Sequence, residues 1–193
     1  MIKRIFDIVV AFMGLIILSP GFLIIAFLIK VKMPGSVFFR QERVGRSGEL
    51  FRVIKFRTMT ENNYGGVITI KGDCRITPFG SKLRKYKLDE LPELWNVFIG
   101  EMSLVGPRPD VPGYADNLTG EYRKILKLRP GITGPATLKY SNEEKVLISV
   151  PDPVKYNDEI IFPDKARINL AYFHNHSIYG DIVIIFKTIF RKY

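Results

Sequence analysis

Between residues 5 and 29 the chain is apolar apart from small residues and one charge, Asp7, with Lys3 and Arg4 before it and Lys30 and Lys32 after it. A helix of that length would measure about 37 Å, enough to cross a hydrocarbon core of about 30 Å. Ser19-Pro20-Gly21 interrupts the run. Pro20 removes a backbone donor and crowds the preceding turn, Gly21 loosens the next one, and Ser19 can bond back to a freed carbonyl, so a marked kink is predicted. The two halves would cover about 21 and 14 Å, each too short to cross alone. With cations at both outer ends, a kinked span and a re-entrant hairpin fit the residues equally well.

After Lys32 the periodicity changes. Residues 36–41 and 49–59 are two β-rich runs joined across Gly45-Arg46-Ser47-Gly48, the pattern of a hairpin. Residues 60–73 read as a mobile, glycine-bearing loop. Residues 81–87 carry a helical pattern with Leu83 and Tyr86 inward and a basic outer face suited to a membrane surface. In residues 88–98, Leu88, Leu91, Leu94, Trp95 and Phe98 form one stripe, Pro92 fits only a first turn and Gly100 is a stop, which places Asp89 and Glu90 at a helix start. Further helices are predicted around residues 121–128 and 165–174. The closing run, 182–186, is too short to span and predicts a buried or interface-lying helix.

Removing the membrane segment leaves about 160 residues, enough for one compact domain with its own core. Lysine and arginine number 29 against 19 acidic residues, a net charge of +10 that favours phosphate-rich partners such as anionic lipid headgroups, nucleotides or nucleic acid. The hairpin holds many of these cations among aromatics, a pattern that packing of one face explains better than base stacking. Cys74 is the only cysteine, so intrachain disulfides and thiolate zinc sites are excluded. The apolar run meets Lys30 without a small-residue cleavage site, which argues against a cleaved signal.

Adjacent acids at a helix start are by themselves ordinary caps. Arg108 changes the picture, because Pro107 and Pro109 hold it in a rigid setting for clamping a phosphate. A carboxylate pair beside a fixed arginine suits phosphoryl transfer: one carboxylate can attack phosphorus or hold a divalent ion while the guanidinium neutralises phosphate oxygens. Neither a GxxxxGK[ST] phosphate loop nor GxGxxG is present, so ATPase and Rossmann readings have no support. His174 and His176, two residues apart, diverge on a helix and carry no assigned chemistry.

The run KFRTM, then DCRITPFGSKLRKYKLDELPELWNVFIGEMSLVGPRP, then RPGITGPA, resembles the bacterial sugar transferase family, the monotopic polyprenyl-phosphate phosphoglycosyl transferases. The resemblance covers nearly the whole chain and its length matches the minimal catalytic form. It implies an α+β fold: residues 1–32 form a membrane-embedded re-entrant helix broken at Ser19-Pro20. Residues 33–193 form a cytoplasmic domain with a β-hairpin and several helices, some amphipathic and lying at the membrane interface. It implies that Asp89 is the nucleophile toward the β-phosphate of a UDP-sugar and that Glu90 is its partner at a Mg2+ site. Arg108 binds phosphate, Lys55 is a functional basic residue and Asp181 an acidic residue near the site. Arg129 is a further candidate for phosphate, though partnering a helix carboxyl end fits it equally well.

The implied activity is transfer of a sugar 1-phosphate to a polyprenyl phosphate, with undecaprenyl phosphate the expected acceptor. UMP is released and the chain sits on the cytoplasmic face of a bacterial inner membrane, where anionic lipids are further partners and nucleic acid is not. The competing reading is a non-catalytic, membrane-anchored basic domain that binds anionic lipid or nucleic acid. Three departures from the family pattern are tolerable: Cys74, Glu101 and the stretch GPATL. Asn169 stands where an aspartate is common, which removes any charge-dependent role there. Neither the sugar nor the oligomeric state is legible.

Overall fold

A computed structural model of the chain describes residues 2–60 and 75–190. The loop predicted over residues 60–73, apart from Thr60, and Cys74 lie outside the described residues. Helix α1 runs from Ile2 to Lys32. The hairpin strands β1 (Phe38–Val44) and β2 (Leu50–Phe56) pair antiparallel, from Phe38 opposite Phe56 to Val44 opposite Leu50. Ser47 and Gly48 turn the chain between them with positive φ. Helices α2 (Pro78–Lys85) and α3 (Glu93–Ile99) follow, then the short strand β3 (Ser103–Val105), which pairs in parallel with β4 (Gly131–Thr133). Helices α4 (Pro135–Lys139), α5 (Glu143–Ile148), α6 (Pro153–Tyr156), α7 (Phe162–Asn175) and α8 (Ile178–Ile189) complete the domain. This is the predicted α+β architecture, one long apolar helix with a small mixed domain.

Helical hydrogen bonding runs on through Ser19-Pro20, where a break was expected. α1 is continuous with Pro20 inside it, and the reason is local. Pro20 denies a donor to the carbonyl of Ile16, and the Ser19 hydroxyl donates to that same oxygen at 2.8 Å, replacing the lost bond.

Both ends of α1 are built into the same domain. Near its start, Arg4 donates to the carbonyls of Val97 (2.6 Å) and Phe98 (2.9 Å) at the end of α3, satisfying groups that α3 leaves open. The buried Asp7 accepts from the Ser103 hydroxyl (2.8 Å) and the Leu104 amide (3.2 Å), and Lys3 pairs with Asp181. Ala11 then enters a core with Val53, Val97, Met102, Leu104, Val105 and Tyr172. Near the end of α1, Ile29 and Met33 join Phe56 and Leu83 in a second core. β2 supplies Val53 to the first core and Phe56 to the second, so it underlies both. The middle of α1 stays outside: Ile17, Leu23 and Phe27 are about two-thirds or more exposed.

Several local expectations are corrected. The run from Leu88 to Phe98 is not one helix. Residues Leu88–Glu90 form a 3-10 turn and α3 begins only at Glu93 after Pro92, because proline offers no amide to a helix continuing from before it. The predicted stripe divides accordingly, Leu88 packing in the second core, Leu94 and Phe98 against the first, and Trp95 half-exposed. Tyr86 is exposed rather than inward, since α2 has ended at Lys85. Residues Gly120–Lys127 are 3-10 rather than α-helix. His174 meets Glu121 at 3.6 Å, an acidic neighbour that chain spacing did not disclose.

Candidate functional site

Three segments converge on Glu90. Lys55 lies near the end of β2, one position before the buried Phe56, and its ammonium reaches Glu90 and Glu93, each at 3.0 Å. Asn96, one turn beyond Glu93, fixes this approach. Its carbonyl accepts the Ile54 amide (3.1 Å) and its amide donates to the Arg52 carbonyl (2.8 Å), clipping α3 to β2. Arg108 comes from the loop after β3, and its guanidinium meets Glu90 at 2.5 Å.

That loop is held from two sides. Gly131 donates to the Pro107 carbonyl (2.7 Å), the Val44 amide to the Asp110 carbonyl (2.9 Å), and Arg43 to the Pro109 carbonyl (3.3 Å). The approach is so close that a Cβ at Gly106 would lie 2.4 Å from the Arg129 carbonyl oxygen. Glycine is needed there for space rather than for an unusual backbone angle.

Charge is concentrated and partly desolvated. Burial would raise the pKa of Glu90, but Arg108 and Lys55 outweigh it and hold the carboxyl well below its ordinary range. Glu93, only 2 % exposed, is pushed up by burial despite Lys55. Asp89, 7 % exposed, is likewise raised by burial and then by the adjacent Glu90 charge, and its Oδ1 is buried without a hydrogen-bond partner. Burial brings Asp110 up to about 6 against the pull of Lys165, Arg43 and Arg108. Lys87, just before the acidic turn, adopts φ 55°, a conformation uncommon outside glycine.

Of the residues singled out from sequence, the structure brings Lys55, Asp89, Glu90 and Arg108 together. It does not bring Asp181 or Arg129 into that cluster. Asp181 is buried against Lys3 and accepts from Tyr172 at 2.5 Å, so it ties α8 and α7 to the start of α1. Arg129 donates to the Gly100 carbonyl (2.8 Å), partnering the carboxyl end of α3 beside Arg4. Ser19 and Pro20 act within α1. Sequence reasoning missed Glu93, Arg43 and Asp110. Asp110 closes the motif that singled out Arg108 and was within reach of the same signal; Glu93, three residues beyond Glu90, carried no such signal of its own.

The arrangement offers a desolvated carboxyl with a free oxygen, a charge-paired carboxylate beside it, and a partly exposed guanidinium. Such groups suit phosphoryl transfer. The bacterial sugar transferase family model matches residues 1–192. The chain belongs to that family. Among its relatives, an exopolysaccharide production protein, ExoY, of Sinorhizobium fredii is 36 % identical, over 97 % of this chain and 83 % of the relative. The UDP-N-acetylgalactosamine-undecaprenyl-phosphate N-acetylgalactosaminephosphotransferase of Aeromonas hydrophila is 37 % identical, over 97 % of this chain and 43 % of its own length. The UDP-glucose:undecaprenyl-phosphate glucose-1-phosphate transferase of Klebsiella pneumoniae is 36 % identical, over 99 % and 40 %. The chain thus spans most of some sugar transferase relatives and less than half of others.

Proposed function

We propose that this sugar transferase moves a sugar 1-phosphate from a UDP-sugar to a polyprenyl phosphate in two steps, with Asp89 as a covalent nucleophile. A carboxylate oxygen of Asp89 attacks the β-phosphorus, the bond from that phosphorus to the bridging oxygen breaks, and UMP leaves with the electron pair. An oxygen of the lipid phosphate then attacks the same phosphorus. Asp89 regains its carboxylate and the lipid carries a diphosphate-linked sugar. The names of the Aeromonas and Klebsiella relatives, which state a UDP-sugar and undecaprenyl phosphate, support these substrate classes.

The observation that carries the reading is the buried, unpartnered Oδ1 of Asp89 beside Glu90 and Arg108. A carboxylate kept only to cap a helix would place its oxygens on backbone amides, and a basic module that merely binds lipid needs no desolvated acid there. Arg108 neutralises the phosphate oxygens, and Lys55 holds Glu90 and Glu93 in place.

The donors suit Mg2+. No cluster of three metal-binding side chains occurs among the described residues, yet Mg2+ needs only one or two carboxylates when substrate phosphates complete its shell. Glu90, with the free oxygen of Asp89 beside it, would hold the ion, which would supply further neutralisation of phosphate charge.

The docking of both α1 ends on one domain supports a re-entrant rather than spanning placement, with the domain on the cytoplasmic face of the inner membrane. Lys30 and Lys32 at the end of α1 would meet anionic headgroups there. The test is UMP release from UDP-sugars with polyprenyl phosphate and Mg2+. Arg108→Lys keeps the charge and loses the planar fork, so turnover should fall at least tenfold with an unchanged melting temperature. Near-normal turnover would make Arg108 structural only.

A further inference from the structure

Among the described residues, the buried side-chain oxygens without a hydrogen-bond partner are Oδ1 of Asp89, Oγ1 of Thr137, Oγ of Ser141 and Oδ1 of Asn169. Buried polar atoms are nearly always bonded, and those that are not commonly await a ligand or water. Asp89 belongs to the reacting centre. Of the other three, Thr137 and Ser141 lie one turn apart at α4 and just past its end, and Asn169 lies on α7, the helix on which α4 packs. Tyr140, between them, donates to Asp164 (2.6 Å) at the start of α7 and fixes that contact.

This contact borders the loop that carries Arg108. On α7 the Tyr172 hydroxyl donates to the Val105 carbonyl (3.3 Å), just before the loop, and Lys165 interacts electrostatically with Asp110, just after Pro109. Asn169 lies one turn from each, on the same face of the helix. α4 approaches from the other side: a Cβ at Gly134 would lie 2.2 Å from the Gly106 carbonyl oxygen. The charged groups nearby are occupied, Lys165 by Glu143 at 2.6 Å and Asp164 by Lys139, Tyr140 and Arg167, each at 2.6 Å. The three unpartnered groups are themselves neutral.

We propose that Thr137, Ser141 and Asn169 form the sugar-selecting side of the donor site, taking uncharged hydroxyl or acylamino groups of the hexose while Arg108 takes its diphosphate. The proposal rests on the transferase reading above. Two hydroxyls and one primary amide can each donate and accept, which suits hydroxyls and an acetamido group and gives no counter-charge for a carboxylated sugar. A site that bonds a substrate hydroxyl discriminates strongly against a donor lacking it, because its own polar groups are then left unpaired.

The experiment measures kcat/KM for UMP release from UDP-glucose, UDP-galactose, UDP-N-acetylglucosamine and UDP-N-acetylgalactosamine. It uses the full chain, and the variants Thr137→Val, Ser141→Ala and Asn169→Ala, with Thr137→Ser retaining the hydroxyl. Melting temperatures confirm that each folds. The expected result is a change of at least about tenfold in the ratio of best to worst donor for Asn169→Ala and Thr137→Val, with the ratio kept by Thr137→Ser. A loss uniform across the four donors, with the ratio unchanged, would overturn the proposal and leave the transferase reading intact. Release of UMP from none of them by the wild type would overturn the transferase reading, and this proposal with it.

Discussion

In the proposed mechanism Asp89 is a nucleophile whose charged form its own surroundings disfavour. Burial and the neighbouring Glu90 carboxylate both favour its protonated form, while Glu90, bound to Arg108 and Lys55, stays ionised. The sign for activity follows directly. A raised pKa means that Asp89 is protonated, and unable to attack, below that raised value, so the reaction gains its nucleophile only as pH climbs through it. Titrated without Mg2+ or UDP-sugar, the Asp89 carboxyl should therefore have its midpoint above 3.8, the ordinary value for an aspartate. A midpoint at or below 3.8, in protein shown by its melting curve to be folded, would contradict the described environment of Asp89. The pair Asp89-Glu90 and the proline-flanked Arg108 were legible because their chemistry sits in contiguous motifs. Glu93 was not, because its role comes from a lysine 38 positions earlier, brought close by the hairpin and the Asn96 clip.

At the scale of elements, α1 decides how the protein meets its membrane. The apolar length and flanking cations were plain in the sequence, and so was the ability of Ser19 to bond back. Whether that bond would bend, break or preserve the helix was not. It depends on a competition between one lost amide bond and one gained hydroxyl bond, each worth about 1 kcal/mol. In α1 the helical assignment continues through Pro20, and the Ser19 hydroxyl takes the Ile16 carbonyl that proline leaves open. Because Arg4 and Asp7 dock on α3 and β3 while Ile29 and Met33 dock beside β2 and α2, both ends of α1 should face one side of the bilayer. Single cysteines at Ile2 and Lys32, both exposed, in a Cys74-free background should be labelled by an impermeant maleimide from the cytoplasmic side alone. Periplasmic labelling of position 2 would establish a span. The 3-10 turn at Leu88–Glu90 was hidden for a different reason: apolar spacing carries the stripe across Pro92, while the missing amide stops the helix.

At the scale of the molecule, the site is an assembly of distant pieces: a strand-end lysine, an acidic turn, the first residue of α3 and a loop held between β1 and β4. The family and the α+β class were readable from long motifs. The anchoring role of Asp181 was not, since it is set by its partner Lys3; for Arg129 a helix carboxyl end was one of the two readings, but not that it would be the end of α3. In the proposed mechanism the assembly brings a nucleophile, a charge-paired acid and a phosphate clamp into one place, so that a soluble donor and a lipid acceptor need never occupy the site together. Two anionic phosphates approaching each other repel, and dividing the transfer at a carboxylate avoids that encounter. The most direct measurement is mass spectrometry of the protein incubated with UDP-sugar and Mg2+ but no polyprenyl phosphate. Two-step transfer predicts a stoichiometric burst of UMP and one sugar phosphate added to the peptide containing Asp89, both abolished in Asp89→Asn. UMP appearing only when lipid acceptor is present, with no adduct on that peptide, would contradict it.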